Sequence, residues 1–173
     1  MGREPAGGRR ALGLSGTGVT PVRVHILAIG RLKSGPQQAL ARHYAERITW
    51  PLAIREIEEK RALPPAELRE REGTLLLAAV PKDAMTVALD ERGKSLTSEA
   101  FAERIRSWRD DGVGDLVFLI GGADGLAEVV CRKARLSLSL GPMTWPHLLA
   151  RGMLLEQFYR AQQILAGHPY HRG

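Results

Sequence analysis

Short blocks of apolar residues alternate along the chain with longer blocks in which apolar residues recur every three or four positions. The short blocks predict strands, the second of them edge-like, at residues 22–29, 52–57, 85–89, 116–120 and 136–140. The longer blocks predict helices at about 36–48, 66–79, 98–111, 126–134 and 146–166, the third capped by Thr97 or Ser98. Because parallel strands need crossover connections, which helices supply, we expect an α/β fold: a mostly parallel five-stranded sheet with helices on both faces.

Two loops at strand ends are the first candidates for chemistry. Gly121-Gly122-Ala123-Asp124-Gly125 follows the fourth strand, and Gly141-Pro142 stands in the loop after the fifth. Carboxyl ends of parallel strands share one edge, where ligands bind and glycine lets the backbone approach them. A tight turn that needs positive φ would also explain the glycines. Residues 90–93 are predicted to form a polar turn at the same edge.

Composition indicates one globular domain, at residues 21–173. The chain has 173 residues, of which 44% are apolar, and no run long enough to span a membrane. Residues 1–20 are rich in Gly and Arg and lack periodicity, which predicts a disordered N-terminal extension. Cys131 is the single cysteine, so no internal disulfide can form, which favours a cytoplasmic location. Its mid-helix position beside valines is typical of a small core residue rather than a catalytic thiol.

Charge and motifs exclude several classes of enzyme. The net charge of +6 favours a polyanionic partner, although only weakly. The chain lacks GxxxxGK, GxSxG, HExxH and paired CxxC motifs, the signatures of P-loop, serine-hydrolase and common zinc sites. His168 and His171 have HxxH spacing but no third ligand nearby, so we expect no metal. The two loops lack the cations that a triphosphate demands, so a nucleoside-like cofactor without phosphates fits better.

The last helix and the tail after it are unusual. The helix is apolar on more than one side, which predicts that one face packs against a second subunit in a homodimer. The tail, His168-Pro169-Tyr170-His171-Arg172, places two imidazoles, a phenol and a guanidinium together. Either the tail is an extension docked on the fold, or it reaches a substrate, stacks on a base and neutralises a phosphate.

Three motifs together resemble the SPOUT (α/β-knot) methyltransferases, and specifically the family that methylates N3 of a pseudouridine in 23S ribosomal RNA. They are LIGGADG, LSLGPMTWPH and the terminal EQFYRAQQILAGHPYHRG, within a resemblance that covers residues 22–172. The resemblance implies a C-terminal trefoil knot, a homodimer, S-adenosylmethionine as cofactor and the assembled ribosome as substrate. Leu148 and Gly152 depart from the family pattern, and Gly is unfavourable within a helix.

The resemblance also implies which residues form the site. The positions that match the family's cofactor pocket are Leu89, Gly121, Leu140, Gly141, Pro142, Met143, Thr144 and Trp145. The positions that match its catalytic tail are His168, Tyr170, His171 and Arg172, with His171 or His168 as proton acceptor, Tyr170 as stacking partner and Arg172 as phosphate contact. Two alternatives remain: a ribosome-binding protein without turnover, and a flavodoxin-like or Rossmann-type enzyme with a phosphorylated cofactor.

Overall fold

The computed structural model describes residues 21–172, with side chains through residue 170; the extension predicted at residues 1–20 lies outside the described residues. The described strands are β1 (Arg23–Ile29), β2 (Leu52–Ile57), β3 (Met85–Ser95), β4 (Asp115–Ile120) and β5 (Leu136–Ser139). The helices are α1 (Pro36–Ala45), α2 (Pro65–Ala78), α3 (Ser98–Asp110), α4 (Glu128–Lys133) and α5 (His147–Leu165), followed by a 3₁₀ turn at Pro169–Arg172. The predicted alternation of strands and helices is confirmed.

The five strands form one sheet in the order β2-β1-β4-β3-β5, and every pair of neighbours is parallel. Strand ends are level: Ile29 pairs with Ile57, and Leu89 pairs with Ile120. β2 is an edge strand, as its imperfect alternation predicts. The segments after the strands therefore meet along one carboxyl edge of the sheet.

Helices cover both faces of this sheet, also as predicted. Alternate residues of β4 point to opposite faces, with Phe118 and Ile120 on one side and Leu119 on the other. The first face packs against α1, α3 and α5, and the second against α2 and α4. Both layers exclude water from β4, which is why this strand is apolar after its first residue. The chain course is consistent with the trefoil knot that the resemblance implies, which stays a prediction.

The prediction that the third strand ends at Leu89 in a polar turn is wrong. β3 continues to Ser95, and residues 90–93 form a bulge, because Leu89 and Lys94 both pair with Leu138 of β5. A Cβ atom on Gly93 would lie 2.7 Å from the backbone of Ser137 and Leu138, so only glycine lets the strand resume there. The bulge holds polar side chains at the carboxyl edge.

Helix boundaries differ from the sequence pattern by a few residues. α1 ends at Ala45 rather than near Ile48, yet Ile48 is buried after the helix and keeps its place in the apolar pattern. Thr97 is the N-cap of α3, and its hydroxyl accepts a 3.1 Å hydrogen bond from the Ala100 amide. Gly152 allows α1 to approach α5, because a Cβ atom there would lie 2.7 Å from Leu40 Cδ2. Close packing of α1 against α5 thus explains why glycine stands at position 152, where the sequence departs from the family pattern.

Candidate functional site

A cavity of about 760 Å³ opens at the carboxyl edge of the sheet, where the sequence places it. Its walls are the end of β3 with its bulge, the glycine loop after β4 and the loop after β5 with the first turn of α5. The residues that line it are Arg69, Leu89–Arg92, Ile120–Leu126, Leu140, Gly141, Met143–His147 and Ala150. Apolar contacts and a few polar groups in a cleft of this size are typical of a small-molecule site.

The glycine loop forms one wall because its turn leaves no room for side chains. A Cβ atom on Gly121 would lie 2.5 Å from the carbonyl carbon and oxygen of Gly125. The turn closes with a 3.1 Å hydrogen bond from the Gly125 amide to the Gly122 carbonyl, and Gly125 has φ +76°. The positive φ that the sequence suggests is therefore real, and the close approach at Gly121 adds a second requirement for glycine.

The second loop is fixed at both ends. The Ser139 hydroxyl donates to the Gly141 carbonyl at 2.8 Å and accepts from the Gly141 amide at 3.1 Å. Thr144 Oγ1 donates a 2.7 Å hydrogen bond to Glu91 Oε2, which joins this loop to the bulge of β3. Between these points Met143 is 68% exposed and Trp145 is 40% exposed, although both line the cavity. Two large apolar side chains at the opening favour a ligand or partner that covers them.

Carboxylates dominate the polar lining. Burial tends to raise the pKa of Asp90, but hydrogen bonds from Arg92 outweigh burial and the pKa is lowered. The half-buried Cys131 donates weakly to Asp90 over 3.6 Å; burial first, and then Asp90, raise the thiol pKa. This thiol is therefore a poor nucleophile and packs beside the core, as predicted. Among the described residues, Glu91 and Asp124 form no ion pair with an arginine, and Arg92 pairs with Asp90 instead.

A buried arginine, Arg151, follows the cavity residue Ala150 in α5. The Arg151 side chain is 0% exposed; it donates to Glu56 Oε1 at 2.6 Å and to the Gly30 carbonyl at 3.0 Å. The same Glu56 oxygen accepts from the Leu32 amide at 2.8 Å, so one ion pair ties α5 to the segments after β1 and β2. Burial and the neighbouring Arg151 charge lower the pKa of His147, which keeps this cavity-lining imidazole neutral at neutral pH.

The structure brings together most of the residues that the resemblance assigns to the cofactor. Leu89, Gly121, Leu140, Gly141, Met143, Thr144 and Trp145 all line the one cavity. Pro142 does not line it, and its ring shapes the loop between its neighbours. The cavity also contains residues that the resemblance did not assign to the cofactor, among them Arg69, Asp90, Glu91, Asp124, His147 and Ala150. The sequence could have indicated Asp90, Glu91 and Asp124, because polar residues close after a strand end lie at the carboxyl edge. Nothing in the sequence indicates that Arg69 lines the cavity.

Of the tail residues predicted to be catalytic, the two whose side chains are described, His168 and Tyr170, do not line this cavity. Tyr170 packs edge-on against Tyr159 at 4.8 Å, and its hydroxyl lies 3.4 Å from Glu156 Oε1. Burial first, then a hydrogen bond with Tyr44, raise the pKa of Tyr170 to about 12. His168 is exposed, and its Nδ1 accepts from the Tyr170 amide at 3.3 Å. The side chains of His171 and Arg172 lie outside the described residues.

Comparison with known proteins identifies the family. A family profile described as "Predicted SPOUT methyltransferase" matches residues 22–171. The chain belongs to the SPOUT methyltransferase family. It is 57% identical over 151 residues to a protein of Rhodospirillum centenum named Ribosomal RNA large subunit methyltransferase H, covering 87% of this chain and 99% of that one. A protein of the same name from Paramagnetospirillum magneticum is 52% identical over 151 residues, with the same coverage.

Solved structures agree with this assignment at the level of the fold. A methylase family protein from Haemophilus influenzae superposes with a TM-score of 0.51 at 12% identity, covering 88% of this chain and 70% of that chain. At 12% sequence identity this similarity shows only that the two proteins share a fold, a parallel sheet between helices. SPOUT membership therefore rests on the family profile and on the sequence relatives.

The cavity residues of this SPOUT protein fit S-adenosylmethionine. The cavity volume lies within the range of about 300–1,000 Å³ that is usual for small-molecule sites. The glycine loop and the Gly141 segment leave backbone groups accessible beside an adenosine, and Glu91 and Asp124 suit a cofactor with cationic sulfonium and ammonium groups. Of the two arginines in the lining, Arg92 is paired with Asp90, which disfavours a triphosphate. Among the described residues no group of three potential ligands could hold a metal ion.

No helix among the described residues is long and apolar enough to cross a membrane.

Proposed function

We propose that this protein is an S-adenosylmethionine-dependent methyltransferase that methylates N3 of a pseudouridine in the 23S ribosomal RNA of the assembled ribosome. The observation that carries the proposal is the carboxyl-edge cavity, in which seven of the eight residues that resemble the family's cofactor pocket meet. Support for the RNA comes from relatives of up to 57% identity that are named for methylation of large-subunit ribosomal RNA. A cytoplasmic location follows from this substrate.

The cofactor would lie between the glycine loop and the second loop. Gly121 provides backbone that a ligand can approach, and Leu89, Leu140 and Met143 provide apolar contacts. Thr144 and Gly141 fix the path of the second loop through their hydrogen bonds, while Pro142 makes it rigid and Trp145 shields the opening. When bound, S-adenosylmethionine supplies an electrophilic methyl group on its sulfonium. The protein residues then mainly have to orient the acceptor base and exclude water.

A proton must leave N3 when the N–CH₃ bond forms. We assign its acceptance to His168 or His171, because an imidazole is a base near neutral pH. Tyr170, whose pKa of about 12 keeps the phenol protonated, serves as a stacking or hydrogen-bonding group. Arg172 contacts a phosphate of the RNA. These four residues stand together at the end of the chain.

The tail would complete the cavity of a second subunit in a homodimer. The Tyr170 hydroxyl lies beside Glu156, which is six residues, or about 9 Å of helix, beyond the cavity residue Ala150. Tyr44 and Glu156, which flank Tyr170, also line a largely apolar cavity of about 430 Å³ beside Met153 of α5. This α5 face is the one that we propose binds the second copy. A monomer by light scattering at micromolar concentration would contradict the dimer.

The decisive experiment transfers labelled methyl groups from S-adenosylmethionine to ribosomes that lack the modification, in parallel with free 23S RNA and separated subunits. We expect label in the RNA of assembled ribosomes, and its loss in the His168→Ala/His171→Ala protein. Cofactor binding without label on any substrate would favour a ribosome-binding protein without turnover. Absence of cofactor binding would exclude the methyltransferase.

A further inference from the structure

The end of β2 and the segment after it carry three carboxylates at the carboxyl edge, and each is paired with arginine. Glu56 accepts from the buried Arg151 at 2.6 Å, and Glu58 pairs with Arg31 at 3.2 Å. Glu59, whose side chain is only 8% exposed, pairs with both Arg61 and Arg71 at 3.1 and 2.9 Å; hydrogen bonds from Arg61, and then Arg71, lower the Glu59 pKa to about 2. All three carboxylates are therefore already paired with arginine.

Three exposed cations at the same edge have no carboxylate within ion-pair distance among the described residues. Lys33 follows β1, Lys60 follows β2, and Arg69 stands in the second turn of α2, whose N-terminus is at this edge. We refer to these three residues as the basic rim. Their positive charge is not neutralised locally, so an anion that covers this edge would meet them directly.

The orientation of α2 places one member of the basic rim at the cavity itself. Gly73 and Leu76 are buried, and a Cβ atom on Gly73 would lie 2.7 Å from Ala127 Cβ, so this face of α2 packs towards the segment after the glycine loop. Arg69 is four residues before Gly73 and shares that face, which brings it into the lining of the cavity. Glu67 and Glu70 project from other sides of the helix and do not line it.

We propose that the basic rim binds the phosphodiester backbone of the RNA on either side of the nucleotide that enters the cavity, with Arg69 nearest to it. This inference rests on the proposed function, since it supplies that reaction with its substrate contact. The polar lining of the cavity is rich in carboxylates, which suits a cationic cofactor but repels RNA. Arg69 in the lining and the unpaired Lys33 and Lys60 farther along the same edge offset this repulsion and hold the backbone while one base is inserted.

The test compares two triple variants with equal changes of charge. Lys33→Ala/Lys60→Ala/Arg69→Ala removes the basic rim, and Lys82→Ala/Arg104→Ala/Lys133→Ala removes three exposed cations that are also without carboxylate partners but lie outside these segments. Binding to a 23S RNA fragment is titrated at several salt concentrations, and the KM for ribosomes and the Kd for S-adenosylmethionine are measured. Thermal melting verifies that both variants are folded.

The basic-rim variant should bind RNA at least tenfold more weakly and lower the slope of log K against log salt by about 2 to 3, as expected for three lost phosphate contacts. Lys33 and Lys60 do not line the cavity, so a Lys33→Ala/Lys60→Ala double variant should also weaken RNA binding while its Kd for S-adenosylmethionine stays unchanged. The control triple variant should resemble wild type. Equal weakening in both triple variants, or unchanged RNA binding in the basic-rim variant, would overturn the inference. Loss of ribosome binding with normal RNA binding would indicate a protein partner and would also overturn it. If the wild-type protein binds RNA through the rim but transfers no methyl group, the proposed function fails separately.

Discussion

Individual glycine residues determine whether the cavity can form, because its walls are close approaches of backbone to backbone. At Gly121 a Cβ atom would lie 2.5 Å from the Gly125 carbonyl, and at Gly93 it would lie 2.7 Å from the Ser137 carbonyl. Backbone cannot rotate aside as a flexible side chain can, so either substitution has to displace a strand or a loop. The requirement for glycine at position 121 can be predicted from the glycine-rich loop in the sequence. The requirement at Gly93 follows only from the structure, because it depends on the contact with β5.

Replacement of Gly121 by alanine should therefore damage both stability and cofactor binding. We expect a loss of about 3 kcal/mol in the free energy of unfolding, at the upper end of overpacking costs, since the contact is with backbone. Gly114→Ala is the matched control, because its Cβ atom would meet only Arg23 Nη2, at 3.8 Å. Urea denaturation and cofactor calorimetry of the two variants check this prediction. Equal stabilities of Gly121→Ala and Gly114→Ala would contradict it.

Asp115 at the start of β4 makes stability depend on pH. Arg23 donates to it at 2.6 and 2.8 Å and His25 contacts it at 2.7 Å, and these interactions, the Arg23 hydrogen bond foremost, lower the Asp115 pKa to about 2. An aspartate in the unfolded chain has a pKa of about 3.9. The carboxylate therefore stabilises the fold above about pH 4, and this contribution is lost as pH falls towards 2.

The stability difference between wild type and Asp115→Asn should accordingly shrink between about pH 5 and pH 2. Chemical denaturation at a series of pH values measures it. Glu103→Gln is the control, since this carboxylate is 58% exposed and pairs with Arg106 only within α3, so a small effect is expected throughout. A difference for Asp115→Asn that stays constant over this range would show that the ion pairs do not cause the dependence.

At the scale of elements, local patterns predict the strands and helices correctly, and tertiary contacts decide where they end. The five apolar blocks are enough to predict where the strands lie. The signal is clearest in β1 and β4, because burial on both faces of the sheet allows few residues other than apolar ones there. The extension of β3 could not be predicted, because it depends on pairing with β5, 40 or more residues later. Likewise Arg69 enters the cavity only because α2 packs on the glycine-loop side.

The Arg151–Glu56 pair joins three elements, and its two partners should respond differently to substitution. Glu56→Gln leaves a guanidinium that is 0% exposed without its counterion, which should destabilise the fold by about 3 kcal/mol. Arg151→Met leaves a carboxylate that is 31% exposed and can be hydrated, so its cost should be smaller. Urea denaturation of both single variants and the double variant tests this. A costlier Arg151→Met would mean that packing, rather than charge, dominates at this position.

At the scale of the whole molecule, the described side chains of the tail, His168 and Tyr170, do not line the cavity of their own chain. The cavity residue His147 begins α5, whereas Tyr170 folds back only as far as Glu156. A homodimer in which each tail meets the other cavity would contain two composite sites, each built from both chains. Function would then depend on subunit association as much as on the chemistry of any residue.

Subunit complementation distinguishes a composite site from a site within one chain. Thr144→Trp should fill the cavity from an exposed position, and His168→Ala/His171→Ala removes the imidazoles of the tail. Each variant alone should be inactive. Coexpressed in equal amounts with random pairing, they should recover about a quarter of wild-type methyl transfer, since half of the dimers contain one intact site of two. Copurification, through one tag, of differently tagged wild-type subunits and subunits that carry all three substitutions is the control that verifies that mixed dimers form. If that control shows mixed dimers and the complementation mixture stays inactive, each tail serves its own cavity, because every chain would then lack one half of its site.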